Sequence, residues 1–201
     1  MLKRFSTLTT VKRDTYYYFL EEFWGSSIDT NVWTTRGTGG SLDTRTGTTS
    51  RIIANANSNF ELYQNDLGDH AASANSVCHY RFKLSSTSSI VAELGFKAAS
   101  PDAGTDWIEF LYDSSKGVNW YVQTTASSVT TETDSGVAVN TNWHEIEIKT
   151  ATTSVQFILD GAIVATHTTN ITSKIMQLFF KITSATGSTR ILYLDYVEGL
   201  G

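Results

Sequence analysis

The sequence has one cysteine, one proline, few charged residues and no long apolar run. A single cysteine excludes an internal disulfide, and a single proline excludes a proline-rich linker. No stretch approaches the roughly 18 apolar residues that span a bilayer, so no membrane segment is expected. Only 17% of residues are charged, with 20 acidic against 15 basic side chains and a net charge of −5. The missing basic excess disfavours a free-standing nucleic-acid-binding protein.

A recognisable secretory leader is also missing. The first apolar cluster, residues 16–20, is short and aromatic, and two glutamates follow it directly, unlike the apolar core of a signal peptide. We therefore expect a protein that is made in the cytoplasm and folds with its thiol reduced.

The lone cysteine lies in an alternating segment. Cys78, Tyr80 and Phe82 share one face of this segment, whereas His79 points to the opposite face. This spacing predicts a buried, unreactive thiol and argues against a Cys–His nucleophile.

Most of the sequence consists of segments in which apolar and polar residues alternate with a period of two. Short runs rich in β-branched and aromatic residues are separated by serine- and glycine-rich turn signals, and no segment of ten residues has helical spacing. A chain of 201 residues makes one domain of this kind. The pattern predicts about a dozen antiparallel strands in a sandwich or barrel. Asp160-Gly161 between two apolar runs predicts a hairpin, and the glycine-rich residues 36–40 predict a loop.

Charge is uneven along the chain. Lys3, Arg4, Lys12 and Arg13 against Asp14 give the first fifteen residues a net charge of +3, so the remainder carries −8. We predict an N-terminal basic arm over 1–15 that docks on an acidic protein surface; a solvated terminus is the alternative.

Three segments carry a family resemblance. Residues 23–33, with Phe23, Asp29 and Trp33, resemble the opening motif of concanavalin A-like lectin/glucanase (LamG-like) domains, and 142–165 and 194–197 are similar to their later hairpin and closing strand. The resemblance covers about residues 20–200. It implies an all-β, two-sheet antiparallel jelly-roll β-sandwich over 16–201, with a concave face that often binds sugar.

The catalytic motif of the related glycosidases is absent. That motif is Glu-x-Asp-x-Glu or Glu-x-Asp-x-x-Glu on one strand, because retaining hydrolysis needs two carboxyl groups about 5–5.5 Å apart. The nearest pairs are Glu145 with Glu147 and Glu132 with Asp134, which we expect to face water, and Glu109 with Asp113, about 13 Å apart along a strand. We therefore predict that the protein is not an enzyme.

Other catalytic chemistries have equally little support. There is no Gly-x-Ser-x-Gly motif, and the four histidines, at 70, 79, 144 and 167, lack metal-ligand spacing. His144 matches a position where the family often has a structural histidine.

Two binding sites follow from the resemblance. Relatives often bind one calcium ion where the first and last strands meet, and Glu22 and Asp195 match those positions; the alternative is that Asp195 bonds the backbone. Otherwise no cofactor is required. Sugar binding needs aromatic platforms and polar groups in a concave site. The predicted residues are Trp107, Glu109, Asn119 and Tyr121, which lie on the strand faces opposite the apolar ones; rim or core packing of the aromatics is the alternative.

Three functions remain in view. The first is a non-enzymatic phage virion component, such as a capsid-decoration or fibre-associated protein. It would bind an acidic surface of the protein shell through the basic arm and a sheet edge and assemble as a homotrimer; this rests on fold analogy. The second is a carbohydrate-binding module, and the third is a divergent glycoside hydrolase.

Overall fold

The computed structural model describes residues 18–21, 28–44, 49–65, 70, 75–98 and 104–200. Within these ranges the chain forms thirteen β-strands and no helix, which confirms the all-β prediction. The strands are β1 Tyr18–Glu21, β2 Trp33–Thr44, β3 Ser50–Gln64, β4 Val77–Leu84, β5 Ile90–Ala98, β6 Trp107–Asp113, β7 Asn119–Ala126, β8 Val129–Ala138, β9 His144–Ala151, β10 Ser154–Leu159, β11 Ala162–His167, β12 Met176–Ser184 and β13 Arg190–Leu200.

The strands form two antiparallel layers joined through β3. The front sheet has the order β2-β3-β12-β5-β6-β7-β8, and the back sheet has the order β1-β13-β4-β9-β10-β11. Residues 59–63 of β3 pair with β12, whereas residues 50–54 pair with β13. This long strand therefore belongs to both layers, and the result is a jelly-roll-like β-sandwich.

An aromatic core holds the two layers together. Phe82 of the back sheet packs edge-on against Trp120 of the front sheet, with ring centroids 5.5 Å apart. Phe110 of β6 meets Phe157 of β10 in the same way at 5.6 Å. All four side chains are fully buried. Such rings remove large apolar areas from water and add about 0.5–1.5 kcal/mol for each edge-to-face pair.

Two local predictions are confirmed. Cys78 and Tyr80 lie buried on the core face of β4, whereas His79 lies on the outer face, and burial raises the pKa of the Cys78 thiol. The hairpin between β10 and β11 turns at Asp160 and Gly161, with φ values of 49° and 81°. Both values are left-handed, as a two-residue turn of this type requires.

The prediction of a loop at residues 36–40 is wrong. These residues lie inside β2, which pairs with β3 and has a register shift between Thr38 and Gly40. A Cβ atom at Gly37 would lie 2.4 Å from the Asn59 carbonyl oxygen. The glycines therefore permit close strand pairing at a bulge, which is their other common role in sheets. Residues 134–136 have the sequence Asp-Ser-Gly, which is typical of a turn, but they likewise lie inside β8, where Gly136 has a φ of 70°.

Some predictions lie outside the described residues. They are the basic arm over 1–15 with Lys3, Arg4, Lys12 and Arg13, the calcium candidate Glu22, and most of the opening motif at 23–27. The part of the chain that the structure describes has no helix that could cross a membrane.

Candidate functional site

A cleft of about 480 Å³ lies on the outer face of the front sheet. Its walls come from β5, β6, β7 and β12, together with Gly104 before β6. Strands β5 to β7 are consecutive in the chain, whereas β12 pairs with β5 from a distant part of the sequence. The cleft therefore exists only once long-range strand pairing is complete.

Glu109 lies on the cleft at a point where the neighbouring strand has no side chain. The register places Gly95 of β5 on one side of Glu109 and Gln123 of β7 on the other. A Cβ atom at Gly95 would lie 2.2 Å from the Ile108 carbonyl oxygen and 2.9 Å from the Glu109 Cα. Only glycine fits this position, where the backbones of β5 and β6 approach closely beside the glutamate.

The Glu109 carboxyl is buried, with 4% of the residue exposed. Burial raises its pKa well above the ordinary glutamate value; the charge of Glu93 raises it further, and those of Lys181 and Lys97 act in the opposite direction. Within the described ranges, no residue forms a hydrogen bond or a close ion pair with this carboxyl. A buried carboxyl without such partners favours its protonated form.

Three other glutamates lie on the outer face of the front sheet, and each has a lysine partner. Lys181 Nζ lies 2.5 Å from Glu93 Oε2, Lys97 Nζ lies 3.2 Å from Glu61 Oε1, and Lys116 Nζ lies 2.5 Å from Glu132 Oε2. The first two pairs link β12 to β5 and β5 to β3 across the front face. Their positive charges balance the glutamates at the edge of the cleft.

A chain of hydrogen bonds fixes the indole of Trp107. Its Nε1 donates to Gln123 Oε1 at 2.9 Å, and Gln123 Nε2 donates to Glu132 Oε2 at 2.5 Å. Glu132 is 31% exposed at the side chain and also accepts from Lys116. Glu132 therefore lies on an exposed face, as the sequence predicts, and from there it holds the Gln123 amide against the Trp107 indole.

The four predicted sugar-binding residues all lie on the outer face of the front sheet. Trp107 and Glu109 line the cleft. Tyr121 and Asn119 follow beside it on β7, where Lys116 Nζ lies 4.8 Å from the Tyr121 ring and Asn119 Nδ2 donates to Asp134. The structure brings together the first two and leaves the other two next to the cleft.

The sequence did not reveal several residues of this site. Phe179 of β12 lies under Lys97, whose Nζ is 5.3 Å from the ring centroid. The lysines and glutamates of the two strand-linking pairs were also missed. They alternate with apolar residues along β5 and β12, as many solvated positions do. The sequence shows that these charged residues lie on the outer faces of their strands. It does not show which strands are neighbours, and therefore does not show that the residues lie near Trp107 and Glu109.

Asp195, one of the two predicted calcium ligands, forms an ion pair with Arg81. Its Oδ2 accepts a hydrogen bond from Nη1 of Arg81, so a cation already neutralises this carboxylate. Glu22 lies outside the described residues, and within those ranges no group of three His, Cys, Asp or Glu side chains is placed to hold a metal. The described residues do not present a calcium site, and a calcium titration monitored by Tm tests the prediction.

Two histidines, His144 and His167, are buried and lie between polar side chains. His144 is buried between Asp160 Oδ2 at 2.7 Å and Asn140 Oδ1 at 3.0 Å, so it ties the β10–β11 turn to the start of β9. His167 lies between the hydroxyls of Thr124 and Thr133, and burial lowers its pKa. These contacts agree with the prediction that His144 is structural.

Comparison with solved structures places the fold among β-glucanases. The chain is similar to Bacillus licheniformis β-glucanase, with a TM-score of 0.69 and 12% identity over 90% of this chain and 96% of that one. It is similar to a lichenase from a mouse hindgut metagenome, with a TM-score of 0.69 and 14% identity over 90% and 97%. It also resembles an immunostimulatory antigen and pseudo β-1,3-glucanase of Mycobacterium tuberculosis, with a TM-score of 0.72 and 11% identity over 91% and 98%. The protein therefore has the concanavalin A-like fold.

The sequence also matches the model of one protein family. A family model described as "SO2946-like, C-terminal domain" matches residues 39–195, and the chain belongs to this family. Comparison with the curated proteins gives no match.

Proposed function

We propose that this protein is a carbohydrate-binding domain that holds a glycan in the front-sheet cleft without cleaving it. The observation that carries the proposal is the buried Glu109 carboxyl on the cleft beside the fixed indole of Trp107. Sugar sites combine an aromatic surface with a few oriented polar groups in a concavity, and this cleft has both. The glucanase-like fold supports the same substrate class by analogy.

The surroundings of Glu109 support binding without hydrolysis. The nearest positions on its own strand are Trp107 and Leu111, and those across the sheet are Gly95 and Gln123, so none carries a carboxyl. Glu93 is the one acidic residue at a diagonal position, and it is tied to Lys181 at 2.5 Å. Retaining hydrolysis needs a second carboxylate that is free to attack, about 5–5.5 Å from the acid.

A glycan array followed by calorimetry tests the binding. The wild-type protein is expected to bind one class of glycan, and Trp107→Ala is expected to weaken that binding about tenfold or more, because stacking area and one wall of the cleft are lost. Trp143→Ala is the matched control, because this tryptophan precedes β9 in the back sheet, where Lys83 and Arg81 pack on its ring. Equal loss in both variants, or no glycan bound, would overturn the proposal.

Hydrolysis is tested on the same glycan. We expect no release of reducing ends by the wild-type protein during prolonged incubation. Turnover that disappears in Glu109→Gln would instead make the protein a divergent glycoside hydrolase.

The virion hypothesis stays a prediction. It rests on the basic arm, which lies outside the described residues, and neither the family nor the structural neighbours bear on a capsid partner, a homotrimer or a virion location. Copurification with assembled capsids that is lost on deletion of residues 1–15 would support it.

A further inference from the structure

Two side chains outside the cleft are linked to its tryptophan. Glu132 lies on β8, the last strand of the front sheet, and Lys116 lies in the loop between β6 and β7; neither lines the cleft. Glu132 Oε2 accepts hydrogen bonds from Lys116 Nζ and Gln123 Nε2, both at 2.5 Å. Gln123 Oε1 in turn accepts from Trp107 Nε1 at 2.9 Å. The chain of contacts therefore runs from the exposed last strand to the indole on the cleft.

The chemistry of its members gives this chain a single polarity. An indole N–H and an ammonium can only donate hydrogen bonds, and an ionised carboxylate can only accept them. The Glu132 carboxylate therefore takes both of its neighbours as donors. The Gln123 amide must turn its oxygen towards Trp107 and its nitrogen towards Glu132. Without an acceptor at position 132, the amide loses the bond that fixes this orientation.

A turn places the cation at the outer end of the chain. The backbone N–H of Lys116 donates to the Asp113 carbonyl at 2.9 Å. The Asp113 carboxylate accepts from the backbone N–H and the hydroxyl of Ser115 at 2.8 and 2.7 Å, as aspartate does in many turns. The Lys116 ammonium then lies 4.8 Å from the centroid of the Tyr121 ring as well as against Glu132. The loop between β6 and β7 thus holds the ammonium beside the carboxylate.

We infer that Glu132, Gln123 and Lys116 are positioning residues, which hold the Trp107 indole ready to receive a glycan. The inference rests on the proposed function, because it names residues that set the affinity of the same cleft. Ordering one mobile side chain during binding weakens affinity by about two- to tenfold. A ring that is already held before the glycan arrives avoids this loss.

The indole N–H reports the chain in the free protein by NMR. Its resonance is identified by its absence in Trp107→Phe. Glu132→Met keeps an unbranched side chain of similar size without the carboxylate, and we expect it to shift this resonance and to speed exchange of the proton with water about fivefold. Glu132→Gln retains an acceptor oxygen and is expected to leave both properties close to those of the wild type.

Calorimetry with the glycan selected on the array measures the effect on binding. Glu132→Met is expected to weaken binding about fivefold, less than Trp107→Ala does, because the ring remains but is no longer held. Glu132→Gln is expected to stay within about twofold of the wild type. Glu147→Met is the matched control, because it removes a lysine-paired glutamate from the outer face of the back sheet, and it is expected to change neither the affinity nor the Trp107 resonance.

A double variant shows whether Glu132 acts through Trp107. When Trp107→Ala is already present, Glu132→Met is expected to weaken binding no further, because the group that it positions is gone. Additive losses would mean that Glu132 contacts the glycan itself, and would overturn the positioning role.

The possible failures point to different claims. An unchanged Trp107 resonance in Glu132→Met, or equal losses in Glu132→Met and Glu132→Gln, would overturn the positioning chain and leave glycan binding standing. No glycan bound by the wild-type protein would overturn the proposed function, and the resonance in the free protein would still decide whether these residues hold the indole.

Discussion

The outer faces of the two sheets both carry glutamates, but these differ in exposure and in their ion-pair partners. On the back sheet, Glu145 is 50% exposed at the side chain and lies 3.7 Å from Arg81, and Glu147 pairs with Lys149 at 3.1 Å near water. On the front sheet, Glu109 is buried and has no such partner in the described residues. Both sets alternate with apolar core residues along their strands. The surroundings, and not the alternation, distinguish a solvated carboxylate from a binding group.

The largest effect is expected at Gly95, the residue of β5 that pairs with Glu109. Gly95→Ala places a methyl group against the Ile108 carbonyl oxygen, at 2.2 Å in the unrelaxed structure, and must push β5 and β6 apart. We expect the free energy of unfolding to fall by about 3 kcal/mol or more, measured by urea denaturation. Gly104→Ala is the control, because nothing lies within 4 Å of its added atom, and it is expected to change stability by at most about 0.5 kcal/mol. Similar values for the two variants would contradict the close packing of β5 against β6 at Gly95.

Removal of one cation from each face sharpens the comparison. Lys181→Gln leaves Glu93, which is 17% exposed at the side chain, without its ion-pair partner, and we expect a loss of about 1–3 kcal/mol. Arg81→Gln removes a 40% exposed partner of Glu145 and Asp195 on the back sheet, where the expected loss is about 0–1 kcal/mol. Thermal or denaturant unfolding of both variants gives the two numbers. A larger loss for the arginine variant would mean that the front-sheet pairs are not the more buried ones.

The pH dependence of stability should reveal Glu109. Its pKa is raised in the folded protein, so the folded state holds this proton more tightly than the unfolded chain does. Stability is therefore lost as pH rises from the ordinary glutamate value, about 4.3, towards the raised value. Glu109→Gln removes that loss, and we expect its Tm at pH 8 to exceed that of the wild type by about 2–4 °C, with the gain disappearing near pH 4.

Glu147→Gln is the control for this titration. Its carboxylate lies on the solvated face beside Lys149, so the expected Tm change is small at both pH values. A pH-independent effect of Glu109→Gln, or an equal effect of the two variants, would show that Glu109 is not a buried acid.

Features that depend on residues close in sequence could be predicted. The Asp160-Gly161 hairpin and the inward face of Cys78 follow from local turn chemistry and period-two alternation. The same reasoning placed Trp107 and Glu109 on one polar face of a strand, which is where the structure has them. Strand alternation assigns a residue to a face without any knowledge of neighbouring strands.

Features that depend on strand order could not be predicted. Lys181 meets Glu93 because β12 pairs with β5, nearly ninety positions earlier in the chain. Glu132 reaches Gln123 because β7 and β8 form a hairpin, whose register shifts between Asn119 and Tyr121. Opposite this shift, residues 134–136 have a sequence that is typical of a turn. The glycines at 37, 39 and 40 predict a loop, because a loop and a bulged strand use the same residue types.

The most direct test of the account measures binding and cleavage in one experiment. The glycan selected on the array is titrated into the wild-type protein and into Trp107→Ala by calorimetry, and the same mixtures are assayed for new reducing ends. We predict that the wild type binds without releasing product and that the variant binds about tenfold or more weakly. Accumulating product that requires Glu109, or equal affinity of wild type and variant, would contradict a glycan-holding cleft that does not cut.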